Sequence, residues 1–206
     1  LAAAGVGCLR LVDDDHVELS NLPRQIAFSE ADLGGLKVAQ LAEALRRRNS
    51  HIKVEAIVGR FDASSAAMLL AGIDVVLDAS DSQATRRAID AFTFKQSIPW
   101  VMGTAVQMSG MWLAFSGDRE EGCYHCLAPS MASSTQEGCE ALGILGPVVG
   151  LVAISQAFTV ISIITQCAPV QWGQLHFSDM RSGELQYLQL SRRSDCPCCG
   201  GSSAEF

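Results

Sequence analysis

Two short cysteine motifs constrain this chain of 206 residues more than any other feature. Cys123-x-x-Cys126 and Cys196-x-x-Cys199 are separated by a long insert. A fold in which they share one centre must bring the end of the chain back onto its middle. Each C-x-x-C pair offers two thiols to one ion. Two pairs close a tetrahedral Cys₄ shell with no open position, which is the form of a structural Zn²⁺ site. Two disulfides or free thiols are the other option. No charged-then-apolar leader is visible in LAAAGVGCLR, so a reducing, cytoplasmic setting is expected and metal ranks ahead of disulfide. Cys198, inside DCPCCG, is an extra thiol able to compete with Cys199, although the two-residue spacing favours Cys196 and Cys199. Cys8, Cys139 and Cys167 stand alone.

Before the first C-x-x-C the chain alternates between two periodicities. Residues 8–13, 52–58, 73–79 and 98–106 read as strands, and 35–48, 63–71 and 83–96 as helices. Residues 110–116 read as a further antiparallel strand after a turn. This alternation predicts an α/β class with a Rossmann-like, doubly wound and mainly parallel sheet. Gly5 sits where a helix-ending glycine would. Gly5-x-Gly7 lacks a third glycine and precedes a strand instead of following one, so it is a poor phosphate loop. Hydrophobic residues make up 49%, enough for a sizeable core. The net charge of −7 argues against nucleic acid held by general charge.

Residues 141–175 carry no charged side chain. Their length alone permits a membrane span. Gly143, Gly146, Pro147 and Gly150 interrupt the first part, polar residues dot the rest, and no Lys or Arg cluster flanks it. A buried or subunit-interface helix over 151–166 is expected instead, with no membrane partner.

Charged and polar residues gather at the predicted strand ends. Asp13 opens the run Asp13-Asp14-Asp15. An acid at such a tip can accept hydrogen bonds from a nucleotide ribose, or can simply be a solvated turn. Ser20, Asn21 and Arg24 follow in SNLPRQ, and Lys37 starts a helix. Arg grips phosphate bidentately, and Lys supplies a mobile charge. Asp81 lies just beyond a parallel strand, where a carboxylate faces the ligand crevice and can hold Mg²⁺. Arg86 lies about one helical turn further. Together the set suggests a nucleoside triphosphate site.

The stretches LAAAGVGCLRLVDDDHVELSNLPRQ, VVLDASDSQATRR, GCYHC, GCEALGILGPVVG and CPCCGG, in that order, resemble the ThiF/MoeB/HesA superfamily. That superfamily includes the adenylating domains of ubiquitin-activating enzymes, and the match runs over essentially the whole chain. The triple Asp, GCYHCLAP and the ending after CPCCGG are most similar to its ThiF branch, which acts on the carrier protein ThiS. The resemblance implies ATP-dependent adenylation of the C-terminal glycine of a small ubiquitin-fold sulfur carrier, of ThiS or MoaD type, by a homodimer. It implies that Asp13 binds the ribose. It implies that Asn21, Arg24 and Lys37 contact the phosphates, with Ser20 and Ser82 alongside, and that Asp81 ligates Mg²⁺. Cys123, Cys126, Cys196 and Cys199 would bind one structural zinc. Cys139 matches a crossover cysteine that takes part in sulfur transfer.

Measured against that pattern, a first strand, a glycine-rich loop and most of a first helix are absent, at least about 30 residues for half a βαβ unit. Neighbouring strands should then face an open slot. The chain begins without Met, so a longer parent protein is expected. Pro23 and Ser82 also depart from the family's usual residues. The expected organisation is a single adenylating domain over 1–206, with a nucleotide-binding part over about 1–106 and an antiparallel, zinc-bearing carrier part over about 107–206. The rival readings are a MoeB-like molybdopterin-synthase carrier adenylyltransferase and a non-catalytic zinc-binding scaffold.

Overall fold

A computed structural model describes residues 1–131 and 143–200. The chain divides into two compact units, Leu1–Phe61 and Asp62–Phe206. Each is described by itself.

The first unit is a strand–helix–strand motif. Strand β1 (Cys8–Val12) pairs in parallel with β2 (Lys53–Ile57), with Cys8 opposite Lys53 and Val12 opposite Ile57. Helix α1 (Lys37–Arg48) connects them. It buries Val38 and Ala42, one turn apart on a single face. Ala42 joins Ala2, Ile52 and Val54 in a small core that Leu9, Leu11 and Leu45 complete. Arg46, Arg47 and Arg48 occupy the last turn of α1, where cations favour the helix dipole. Gly5 adopts φ +85° with its N–H on the Ala2 carbonyl, the left-handed conformation anticipated for it.

The second unit is built on a five-stranded sheet in the order β3-β4-β5-β6-β7. The strands are β3 (Val76–Asp78), β4 (Trp100–Val106), β5 (Ser109–Phe115), β6 (Gln174–Asp179) and β7 (Glu184–Gln189). Strands β3 and β4 are parallel; the other three ladders are antiparallel. Among the described residues, both parallel ladders, β1–β2 and β3–β4, lie within residues 1–106. Among the described residues, β1 and β3 each pair on one side only.

Among the described residues the unit also holds helices α2 (Ala66–Leu70), α3 (Gln83–Lys95), α4 (Tyr124–Met131) and α5 (Gly146–Thr165). Helix α5 begins five residues before the expected 151. Pro147 lies in its first turn, where a missing N–H costs nothing, so the proline starts the helix instead of breaking it. The helix lies along β4 and β5 and buries Val148, Val152, Gln156 and Val160 at four-residue spacing. Glycines make this approach possible. A Cβ on Gly110 would strike Val152, and one on Gly103 would strike the Gln156 side chain. By length and hydropathy α5 could cross a membrane, but its packed face lies along the sheet. Ile154 and Phe158 point outward and are exposed.

The opposite sheet face carries the aromatic core. Trp100 stacks on Phe115 at 4.7 Å between ring centroids, and Tyr124 meets Trp100 edge-on at 6.1 Å. Met102 and Leu113 are fully buried beside them.

Candidate functional site

In the first unit the acidic run is shared out among three partners. The Asp13 carboxylate accepts the Asp15 amide at 2.8 Å, the two-residue-on bond of an Asx turn. Asp14 accepts from Arg60 Nε at 2.7 Å. Asp15 pairs with Lys37 Nζ at 3.0 Å, and its carbonyl accepts the Lys37 amide at 2.9 Å. Lys37 thus stands at the start of α1 against the β1 tip, with its side chain mostly covered. The loop between them is pinned by two backbone bonds, Val17 N–H to Gly35 and Gly34 N–H to Val17.

Ser20, Asn21 and Arg24 share one tight turn. Leu19–Asn21 form a single 3-10 turn. The buried Asn21 accepts the Glu18 amide at 3.3 Å, and its carbonyl accepts the Arg24 and Gln25 amides. The Arg24 guanidinium donates to the Ser20 carbonyl at 2.8 Å. Pro23 is accommodated within this turn.

In the second unit, Asp81 is exposed between the end of β3 and α3. Ser82 caps α3 by accepting the Thr85 amide at 3.2 Å. The support beneath them was not legible in the sequence. Asp78, 2% exposed, accepts the Ser80 amide at 2.9 Å and the Ser80 hydroxyl at 2.6 Å. Arg86 Nε donates to Asp78 at 3.0 Å, and its Nη2 donates to the Ser80 and Gly103 carbonyls. Gln156 donates to the Asp78 carbonyl at 2.8 Å and to the Val101 carbonyl at 3.2 Å. Arg86 is therefore an internal strut whose Nε and Nη2 are committed to the protein, in contrast to its place in the ligand-facing set. Its eight-residue separation from Asp78 fits no helix-face rule. No local pattern in the sequence marks the arrangement.

The four expected zinc cysteines come together. Cys123, Cys126, Cys196 and Cys199 are all buried in one cluster. Sγ separations are 3.9 Å for Cys123–Cys126, 3.5 Å for Cys123–Cys196 and 3.4 Å for Cys126–Cys199. Tetrahedral bonds of ~2.3 Å place thiolates about 3.8 Å apart, so the cluster fits zinc. All four are free thiols. Two tight turns hold them. The Cys126 amide donates to the Cys123 carbonyl, and the Gly200 amide to the Cys196 carbonyl, each at 2.9 Å. Any Cβ at Gly200 would collide with the Cys196 backbone.

The thiols are strongly differentiated. Burial opposes ionisation of Cys196, but the amides of Cys199 and Cys198 outweigh it and hold its pKa down at about 7. Burial pushes Cys199 up to about 12. A hydrogen bond with Cys198, reinforced by burial, pushes Cys123 upward. Crowded thiols cannot all ionise unless a cation shares them. Cys139 lies outside the described residues.

A family model described as the ThiF family matches residues 1–198. The chain belongs to the ThiF family. ThiF-family relatives include the sulfur carrier protein ThiS adenylyltransferase of Escherichia coli (strain K12). It is 37% identical over 205 residues, spanning 100% of this chain and 81% of the relative. The molybdopterin-synthase adenylyltransferase of the same organism is 34% identical over 200 residues, spanning 97% and 80%. Among solved structures, E. coli MccB with ATP superposes with a TM-score of 0.79 at 22% identity. That likeness establishes the fold. The chain spans 61% of the length of that protein.

Proposed function

We propose that the chain adenylates the C-terminal carboxylate of a ubiquitin-like sulfur carrier protein. The similarity of the whole of this chain to 81% of the ThiS adenylyltransferase, at 37% identity, carries this reading. ThiS, and so the thiazole branch of thiamine biosynthesis, is the carrier we favour. A MoaD-type carrier of molybdopterin synthase is the second reading, favoured by the 34% relative. The enzyme would act as a cytoplasmic homodimer.

The reaction joins the carrier carboxylate oxygen to the α-phosphorus of ATP and expels pyrophosphate. The acyl group then carries AMP as leaving group, and a sulfur nucleophile can displace it. Asp13 at the β1 tip would accept the ribose hydroxyls. Lys37 and Arg24 would neutralise charge growing on the phosphates, and Asn21 and Ser20 would add neutral donors. Lys37 is held against Asp15 at 3.0 Å, which keeps its ammonium oriented before substrate arrives. Arg24 is anchored by the bond from its Nη1 to the Ser20 carbonyl at 2.8 Å.

Asp81, with Ser82 beside it, would hold Mg²⁺, which offsets phosphate charge. Zinc in the closed shell of Cys123, Cys126, Cys196 and Cys199 would be structural, joining the end of the chain to α4. Cys139 would take part in sulfur transfer.

Carrier-dependent ATP–pyrophosphate exchange tests the reading, with ThiS-type and MoaD-type carriers run in parallel. Exchange with one carrier identifies the pathway. Silence with both, from folded zinc-loaded protein, rules the reading out for this chain as given, and adding a family N-terminal strand and glycine-rich loop separates the two causes: restored exchange marks the loop as indispensable, and continued silence leaves a zinc-binding scaffold. The Cys139→Ala variant should keep exchange while losing sulfur transfer.

A further inference from the structure

Beside the tetracysteine shell lies a second set of donors that the proposed reaction does not use. Asp90, Cys123, His125 and Cys198 present ligand atoms that all lie within 4.8 Å of one another. We propose that this set is a second zinc site, sharing Cys123 with the first, so that the lobe holds a two-metal cluster bridged by one thiolate. The inference rests on the zinc reading of the four cysteines.

The donor chemistry fits. Zinc accepts thiolate, imidazole and carboxylate together. His125 Nδ1 lies 3.3 Å from Asp90 Oδ2. An N and an O on one tetrahedral zinc, at ~2.0–2.1 Å each, stand about 3.4 Å apart. Cys198 Sγ lies 3.9 Å from the same oxygen. Cys123 is fully buried between the two sets and 3.5 Å from Cys196. The motif C-P-C-C therefore serves both centres, with Cys196 and Cys199 facing one and Cys198 the other.

The surroundings are those of a supported ligand. Asp90 is 0% exposed. Its Oδ1 accepts from Arg119 Nε at 3.2 Å, and its Oδ2 accepts the Tyr124 amide at 3.0 Å. Arg119 is also fully buried, and its Nη2 donates to Thr93 Oγ1 at 2.7 Å. Ligating carboxylates are ordinarily fixed by such outer hydrogen bonds.

Charge favours the second ion as well. Four thiolates on one Zn²⁺ leave two negative charges, with Asp90 and Arg119 cancelling beside them. A second Zn²⁺ adds two positive charges against one new thiolate. Binding it releases the Cys198 proton to water.

The test counts metal in the intact chain, purified with zinc and washed free of loosely held ions. Elemental analysis against protein concentration should give two zinc ions per chain. Cys198→Ser and His125→Ala should each hold one. Cadmium-113 NMR of the substituted wild type should show two resonances coupled through the shared sulfur. One zinc in the wild type overturns the proposal, because Cys198 is then an alternative ligand or a bystander. Two zincs retained in Cys198→Ser overturn it too. No zinc at all overturns the tetracysteine reading together with it. If a variant fails to fold, the wild-type cadmium spectrum decides: a single resonance refutes the bridge.

Discussion

Replacing Arg86 by Met should be among the most damaging single changes outside the cysteine cluster. The side chain is 6% exposed, and its partner Asp78 is 1% exposed. Met keeps the aliphatic bulk but removes three donor interactions, to Asp78 Oδ2, the Ser80 carbonyl and the Gly103 carbonyl. The Asp78 charge then sits in the interior with only the Ser80 amide and hydroxyl as donors. Removing one partner of a buried ion pair typically costs about 3–5 kcal/mol. In a unit of this size each kcal/mol moves the midpoint by about 2–4 °C, so Tm should fall by about 10 °C. Pairing Arg86→Met with Asp78→Asn should recover much of that loss, because no orphan charge remains. Chemical denaturation of the four proteins in the cycle gives the coupling directly. An Arg86→Met chain within about 1 kcal/mol of wild type would refute the argument. So would a double variant whose loss is simply additive.

Three further outcomes follow from the same geometry. Chelation of metal, or Cys196→Ser, should lower the cooperative unfolding temperature and release zinc, since structural zinc contributes folding free energy outright; an unchanged melt after complete metal loss would sink the structural role. Lys37→Ala should cost at most about 1 kcal/mol of stability, because its partner Asp15 is 60% exposed, yet it should slow carrier-dependent ATP–pyrophosphate exchange by about 10²–10³-fold. Equal exchange rates would remove Lys37 from the reacting centre. His176, stacked on Trp112 at 4.8 Å and met edge-on by Tyr187 at 5.0 Å, has its pKa lowered by burial. The unfolded state then binds its proton more readily, so its stability contribution is complete above about pH 6.5 and is lost as pH falls below that. Urea midpoints at neutral and mildly acidic pH should drop further in wild type than in His176→Phe, and parallel drops in the two proteins would contradict the assignment.

What could be read from the sequence divides along physical lines. Local periodicity placed β1 to β5, α1 and α3 within a few residues, because burial on one face leaves a repeat in the chain. The C-x-x-C pairs were legible because short spacing and thiol chemistry predict four sulfurs at one centre, and Cys123, Cys126, Cys196 and Cys199 do gather in one that could hold an ion. Pro147 misled for a local reason, since a proline is equally at home breaking a helix and beginning one. The β6–β7 hairpin is not among the strands the sequence predicts, and β7 shows why. All its residues are exposed, so the short alternation of Leu185 and Tyr187 with Glu184 and Gln186 marks no buried face. The buried polar struts were invisible for a deeper reason. Gln156 meets the Asp78 carbonyl across 78 residues, and Arg119 meets Asp90 across 29. Nothing local requires either pairing. Each arises because a close approach strands a polar group away from water, and a donor from another element must satisfy it. The glycines at 103 and 110 allow the approach of α5, and that approach creates the need for Gln156. The β3 end that leads to Asp81 is therefore held by residues with no reacting role. A substitution at Gly103 should perturb the Asp81 loop without touching any ligand.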